Sequence, residues 1–385
     1  MPRNVTSLDP FQVGIELYLM SIDEINELRQ TISIMAFLEV TWKDRFLVWE
    51  PFEYSNITSI NVKVKDIWTP DIVLESTLDK QTALIETCGN AIISSDGSVI
   101  VWPYGRYTVA CKIFVGQYPF DEQTCLFDFL SWTYPSSKLV LRSTSTEITK
   151  EHYQENGEWT LTRGKVVIER RPYGDYAWDH VTFTFELQRK TLFVVMNIML
   201  PIICTAFLNT FCFILPSDSG ERITLCISLF LTLAVFMTIV NGALPESSDE
   251  VSKFGLYLGL QLIGSGLSII ATVLSLYCFH ESDHRPVRVC IQLFVKSMCI
   301  QKGYQMHQQH ANIEVNANTF GSEIMDTIDE RRKINKCLSN KSKAIHHVPQ
   351  ITWKMVSCAL DRFCFIATIV WQIVLLSVLL AVLIS

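Results

Sequence analysis

The stretch CKIFVGQYPFDEQTC, residues 111–125, holds two cysteines with thirteen residues between them. Thiols at that spacing serve a metal site, a redox centre or a structural disulfide, and the compartment decides among the three. Two histidine groups also invite a metal: His307 with His310 in YQMHQQH, and the neighbours His346 and His347. All four fall in a polar stretch that offers no frame for a rigid ligand set, so no metal is expected there. No nucleophile, base and orienting group stand together, and there is no glycine-rich phosphate loop. These residues imply neither an enzyme nor a cofactor.

The elements around the cysteines settle the compartment. The chain of 385 residues has room for two domains or more. Four uncharged stretches, 191–215, 223–244, 254–279 and 363–385, are each long enough to cross a hydrocarbon layer of about 30 Å at about 1.5 Å per residue. Buried helices of soluble proteins rarely exceed about 20 residues, which argues against a soluble core for four such runs. Residues 281–362 carry a basic excess that includes Arg285, Arg288, Lys296, Lys302, Arg331, Arg332, Lys333 and Lys336, whereas PESSDEVSK at 245–253 is mainly acidic. The positive-inside rule then puts the segment between spans three and four in the cytoplasm and both termini outside. MPRNVTSLDP lacks a basic start followed by an apolar run, so a chain in its processed form is expected. Asn4 and Asn56 head glycosylation sequons on the exported side, and the sequon at Asn340 falls inside and should stay bare.

Residues 10–190 read as β-structure. SINVKVKDIW, GSVIVW and HVTFTFELQ alternate apolar and polar residues, and SSDGS, YPSS and RPYGD punctuate them as turns. The spacing is that of a β-sandwich. Residues 286–350 are polar and expected to be largely disordered. VRVCIQLFVKSM has the pattern of an amphipathic helix on the inner membrane surface, and ITWKMVSCALDRF that of a helix running into the last span.

Of the twelve cysteines, only Cys88, Cys111 and Cys125 then lie outside, where disulfides persist. Zinc needs four ligands and the loop offers no histidine and no second cysteine pair. A Cys111–Cys125 disulfide is favoured, closing a loop for about 3 kcal/mol of chain entropy. Cys88 is left over, to be buried, free or paired between chains.

With these elements in place the chain resembles the Cys-loop pentameric ligand-gated ion channels, and among them the nicotinic acetylcholine and serotonin-gated branch. The resemblance rests on the disulfide loop holding Tyr118-Pro119-Phe120-Asp121, Trp132 in SWTY, four spans, WKDRFLVW at 42–49, WTPD at 68–71 and Gly220-Glu221-Arg222 before the second span. It implies an extracellular β-sandwich (1–190), transmembrane helices one to three (191–280), a cytoplasmic loop (281–355) and a fourth transmembrane helix (356–385), in a plasma-membrane pentamer around a central pore. The implied partners are four further subunits, the lipid bilayer, a small-molecule agonist and permeant cations, with no nucleic acid.

The second span carries a stripe at helical spacing, Thr224, Ser228, Leu231, Val235 and Ile239. Five copies around an axis give hydroxyl rings at the inner end and apolar rings at the outer, where a constriction closes by dewetting; Leu231 and Val235 are the expected gate. Glu221 would form a carboxylate ring that attracts cations, in place of the family's Pro-Ala-Arg pattern for anions. Asn241 and Gly242 are neutral at the outer end, with Glu246 near enough to supply a charge there.

By the same resemblance the ligand lies between subunits, with Trp132, Tyr173, Tyr176 and Trp178 on the principal face and Phe37 and Trp102 across from it. Aromatic faces hold an ammonium by about 0.5–2 kcal/mol per ring. Trp42 and Trp49 are assigned to the sandwich core. RRPYGDYAW lacks the adjacent cysteines of acetylcholine-binding subunits, and Glu75 stands where those subunits have tyrosine. These departures point to a primary amine or another cation, or to an auxiliary binding subunit that needs a partner to conduct. Coupling is expected through Arg189 paired with Glu24, and through Phe120 and Asp121 against the linker at Pro245. Tyr118-Pro119 is expected to be cis, and Pro201 to kink the first span.

Overall fold

The computed structural model describes residues 9–245, 251–281, 287–298 and 352–384. The expectations for Asn4, Glu246, the sequon at Asn340, the four tail histidines and the tail beyond Met298 lie outside the described residues.

Among the described residues, the alternating segments form eleven strands: β1(Phe11–Asn26), β2(Thr31–Val48), β3(Ser59–Lys63), β4(Ile72–Leu74), β5(Asn90–Ser94), β6(Asp96–Val101), β7(Tyr104–Ala110), β8(Glu122–Ser131), β9(Leu139–Arg142), β10(Trp159–Tyr173) and β11(Tyr176–Arg189). One sheet runs β3-β5-β6-β2-β1-β9 with β7 also on β2, and the other runs β10-β11-β8-β4. Inward residues of the two sheets make the core, with Ile15, Leu17, Ile32 and Ile34 from one and Phe127, Phe129, Phe183 and Phe185 from the other. Edge-to-face ring pairs, Phe127 with Phe185 at 5.1 Å and Phe129 with Phe183 at 5.7 Å, fill it. Trp42 is buried as expected. Trp49 is not: it is half-exposed just past the end of β2, and its Nε1 donates to the Ile57 carbonyl at 2.8 Å. Cys111 and Cys125 are joined, which ties the chain leaving β7 to β8 in the opposite sheet. Cys88 is half-buried and caps a short helical turn.

Among the described residues, four helical segments are long and apolar enough to cross a membrane: 192–211, 222–242, 253–280 and 353–381. The first is interrupted. A turn α1(Leu192–Val194) passes through a π-turn at Val195–Met199 into α2(Leu200–Phe211). Pro201 lies two residues past the widened turn and has no N–H to give, which is a physical reason for the break. Next come α3(Arg222–Gly242), α4(Lys253–His280), α5(Val289–Met298) and α6(Trp353–Ile384). The last span thus starts ten residues before the apolar run that marks it in the sequence.

The chain divides into two compact units. The first holds the sandwich with residues 192–199 and the segment 237–256; the second holds residues 200–236 and most of the remaining helix. In the second unit, Gln261 of α4 and Gln372 of α6 exchange two amide hydrogen bonds at 2.7 and 3.0 Å. One turn on, Gly264 allows close approach, since a Cβ there would come within 2.7 Å of Trp371 Nε1. The amphipathic α5 packs Val295 with Val356 and Ala359 of α6.

Candidate functional site

The four-stranded sheet positions the aromatic side chains expected to face a ligand. Tyr173 and Tyr176 pair across the β10–β11 hairpin, whose two-residue loop starts with Gly174 at φ 61°, the pattern of a II′ turn. Trp178 lies edge-on to both, 5.8 Å from Tyr173 and 6.2 Å from Tyr176. Trp132 follows the end of β8 and is exposed. It is held by Asp71, whose carbonyl accepts the Trp132 N–H at 3.1 Å. The Asp71 carboxylate accepts from Ser131 Oγ at 2.6 Å and from the N–H and Oγ1 of Thr133 at 2.7 and 2.5 Å. Asp71 therefore pins the residues on both sides of Trp132, and Ser136 fixes the next turn to Ala177 of β11.

Glu75 is partnered. It takes the Tyr173 hydroxyl at 3.3 Å and lies 3.8 Å from Arg171 Nη1 and 3.5 Å from His180 Nδ1. Burial and then this carboxylate hold the Tyr173 phenol above its usual pKa. Phe37 belongs to the other sheet and Trp102 to the turn that joins its strands β6 and β7, with Phe37 stacked on Tyr18 at 4.6 Å and Trp102 Nε1 donating to Glu39 at 3.1 Å. One chain keeps the two aromatic groups on separate sheets, as residues of opposite faces of an interface would be.

At the end of β11, Arg189 is half-buried, with its side chain 8% exposed. It donates to Asp121 at 2.8 and 3.1 Å and to Glu27 at 2.8 Å, and its guanidinium lies over the rings of Trp159 and Tyr118 at 4.3 and 5.1 Å. Burial opposes its charge, but the two carboxylates outweigh burial and raise its pKa. The expected partner Glu24 is not in this cluster. It faces outward and meets Arg106 of β7 at 3.4 Å, because register shifts in β1 around Ser21 and Glu24 turn the strand end and deliver Glu27 instead. Tyr118-Pro119 is cis. Phe120 is exposed, and the loop meets the far end of the linker: Lys253 N–H donates to the Gly116 carbonyl at 3.2 Å, and the Phe254 ring lies 6.5 Å from Tyr118. A cleft of about 560 Å³ opens here between Phe114, Gln117 and Val251.

Helix α3 has one face packed and one bare. Cys226, Leu229, Leu233 and Val240 are buried, whereas Glu221, Thr224, Ser228, Leu231, Val235 and Ile239 are all exposed in the single chain. Ser228 Oγ donates to the Thr224 carbonyl at 2.8 Å, so its lone pairs remain open to the bare side. Arg222 turns the other way and donates to Asp361 of α6.

Two family models match: the neurotransmitter-gated ion-channel ligand binding domain over residues 2–191, and the neurotransmitter-gated ion-channel transmembrane region over residues 198–302. The chain belongs to the neurotransmitter-gated ion channels. It is a Cys-loop, nicotinic-like member. It is 34% identical over 270 residues to the neuronal acetylcholine receptor subunit beta-2 of Carassius auratus, covering 70% of this chain and 58% of that one. It is 28% identical over 405 residues to subunit beta-3 of Rattus norvegicus, covering 99% and 86%. With subunit alpha-2 of Homo sapiens it shares 34% over 272 residues, 70% of this chain and 51% of that one. The matched stretch therefore spans little more than half of the goldfish and human subunits.

For a multi-pass membrane protein of this family, which comprises channels and not enzymes, three side-chain partners carry no signal in the sequence: Asp71 for Trp132, Glu27 for Arg189 and Asp361 for Arg222. WTPD was visible as a motif, but its carboxylate's targets lie 60 residues on or more. A fourth group, Asp128 with His180 beside Glu75, gave no sequence signal, since strand pairing alone brings them together.

Proposed function

We propose that this chain is a subunit of a cation-selective, ligand-gated channel, assembled with four others around α3 and opened by a small cationic amine. The observation that carries this reading is the arrangement at the start of α3: Glu221 is exposed while its neighbour Arg222 is buried on Asp361. Five such subunits would place carboxylates at the inner mouth and remove the arginines from it, a field that favours cations over chloride. Leu231 and Val235 then form the closing rings, and Thr224 and Ser228 the wet ones.

The aromatic group of Trp132, Tyr173, Tyr176 and Trp178 suits an ammonium. Glu75 adds a carboxylate beside Tyr173, which favours an amine that can donate N–H bonds over a quaternary one. The sandwich (1–190) and both termini face outward at the plasma membrane, helices one to three occupy 191–280, the loop 281–355 faces the cytoplasm, and 356–385 returns. Asn56 is exposed on the outer domain as a glycosylation site requires. A screen of amines by electrophysiology on cells expressing the chain tests the ligand. A primary amine should evoke a current that Trp132→Ala abolishes; a response untouched by that substitution places the pocket elsewhere.

A further inference from the structure

Behind the aromatic group lies a cluster that the channel reading does not use. Asp128 on β8, His180 on β11 and Glu75 just after β4 each present one donor atom within 4.8 Å of the others. His180 is fully buried, and its Nδ1 lies 3.3 Å from Asp128 Oδ1 and 3.5 Å from Glu75 Oε2. A tetrahedral zinc ion with nitrogen and oxygen ligands at about 2.0–2.1 Å sets those ligand atoms about 3.3–3.4 Å apart, close to these spacings. The imidazole meets polar groups at Nδ1, the edge that faces the carboxylates, while its Nε2 has no hydrogen-bond partner.

The frame is rigid. Asp128 and Thr182 are paired across β8 and β11, and Thr182 Oγ1 donates to Asp128 Oδ1 at 3.1 Å, the kind of outer hydrogen bond that orients a metal ligand. Glu75 N–H donates to the Asp128 carbonyl at 2.8 Å. Glu75 is about one-third exposed, which leaves a path from solvent and room for a water as fourth ligand.

The cation now in this place is a side chain. Arg171 Nη1 donates to Asp128 Oδ2 and lies 3.4 Å from His180 Nδ1 and 3.8 Å from Glu75 Oε2. Its Nη2 also meets Glu169 at 3.2 Å, so one guanidinium serves three carboxylates and the cluster keeps an acidic excess. We propose that Glu75, Asp128 and His180 form a site for a divalent transition metal of the zinc type, for which Arg171 is the built-in competitor. An imidazole with two carboxylates suits zinc better than calcium or magnesium, which take oxygen ligands. Metal binding displaces Arg171 from Asp128 and fixes Glu75, whose other oxygen holds the Tyr173 hydroxyl, so occupancy is felt at the aromatic group.

The test is calorimetric titration of Zn²⁺ into the purified full chain, with His307, His310, His346 and His347 replaced by alanine to remove competing imidazoles. Because it reads equilibrium binding, its outcome is independent of whether the chain conducts. One Zn²⁺ per chain is expected, weakened about tenfold or more by Glu75→Gln, a loss within the range seen even for outer-shell partners. Arg171→Gln should tighten binding by about tenfold, since the cation that competes for Asp128 is removed. Both positions are partly exposed, so neither variant depends on repacking the buried Asp128 or His180. Zn²⁺ binding unchanged by both variants, or no binding, overturns the proposal and leaves the cluster as an ion-pair network.

Discussion

Arg222, only 1% exposed, donates to both carboxylate oxygens of Asp361 at 2.9 and 2.5 Å, and Ser275 Oγ reaches the same carboxylate at 2.6 Å. This contact between α3 and α6 fixes the rotation of α3, and with it the side to which Glu221 and the stripe beyond it point. Asp361→Ala leaves a buried guanidinium without its counter-charge and should cost about 3–5 kcal/mol, whereas replacing both partners by leucine and methionine should cost much less. Thermal unfolding of the purified variants reads the difference. Equal losses for the single and double variants would mean that the pair does not act as a unit.

The junction separates two acidic residues three positions apart. Glu27→Gln weakens a part-buried pair with Arg189 and should lower stability and agonist efficacy, whereas Glu24→Gln touches an exposed pair with Arg106 and should change stability by about 0–1 kcal/mol. Double-mutant cycles with Arg189→Gln should show coupling to Glu27 and none to Glu24. Coupling to Glu24 would restore the partner expected from sequence.

Asp71 accepts three hydrogen bonds through its carboxylate around Trp132. Asp71→Ala strands those donors, at about 1–3 kcal/mol for each one left buried, and loosens the segment that presents the indole. The expected result is an agonist concentration–response curve shifted to higher concentration by about tenfold, at unchanged ion selectivity. A shift in selectivity instead would place the effect in the pore.

Leu231 and Val235 lie, with Ile239, on the bare face of α3. Leu231→Thr makes a dewetting ring wettable, so spontaneous openings or activation at lower agonist concentration are expected in single-channel records. Gating identical to the parent would move the gate away from Leu231.

The sandwich was legible because alternation survives in strands with one buried face, and the spans because few charges interrupt them. Legibility failed where charges are satisfied at a distance. The last helix starts at Trp353, within the segment ITWKMVSCALDRF read as helical, although Asp361 and Arg362 break the apolar run; what the run does not show is that Asp361 is neutralised by Arg222. SIDEINE offers Asp23, Glu24 and Glu27, and only the register shifts within β1 choose Glu27 for Arg189. Trp49 looked like core by type, yet it lies past the end of β2, where alternation no longer assigns a face. His180 and Asp128 are brought together by the pairing of β8 with β11, a relation between strands that neither strand's own pattern encodes.

The proposed cation pathway is lined by α3, with Glu221 at its mouth. Reversal potentials of agonist-evoked currents, recorded while external sodium is replaced by a large impermeant cation and then while external chloride is replaced by a large anion, test it most directly. A cation pathway gives a negative shift on replacing sodium, none on replacing chloride, and loss of that discrimination in Glu221→Ala. A reversal potential that follows chloride would contradict it.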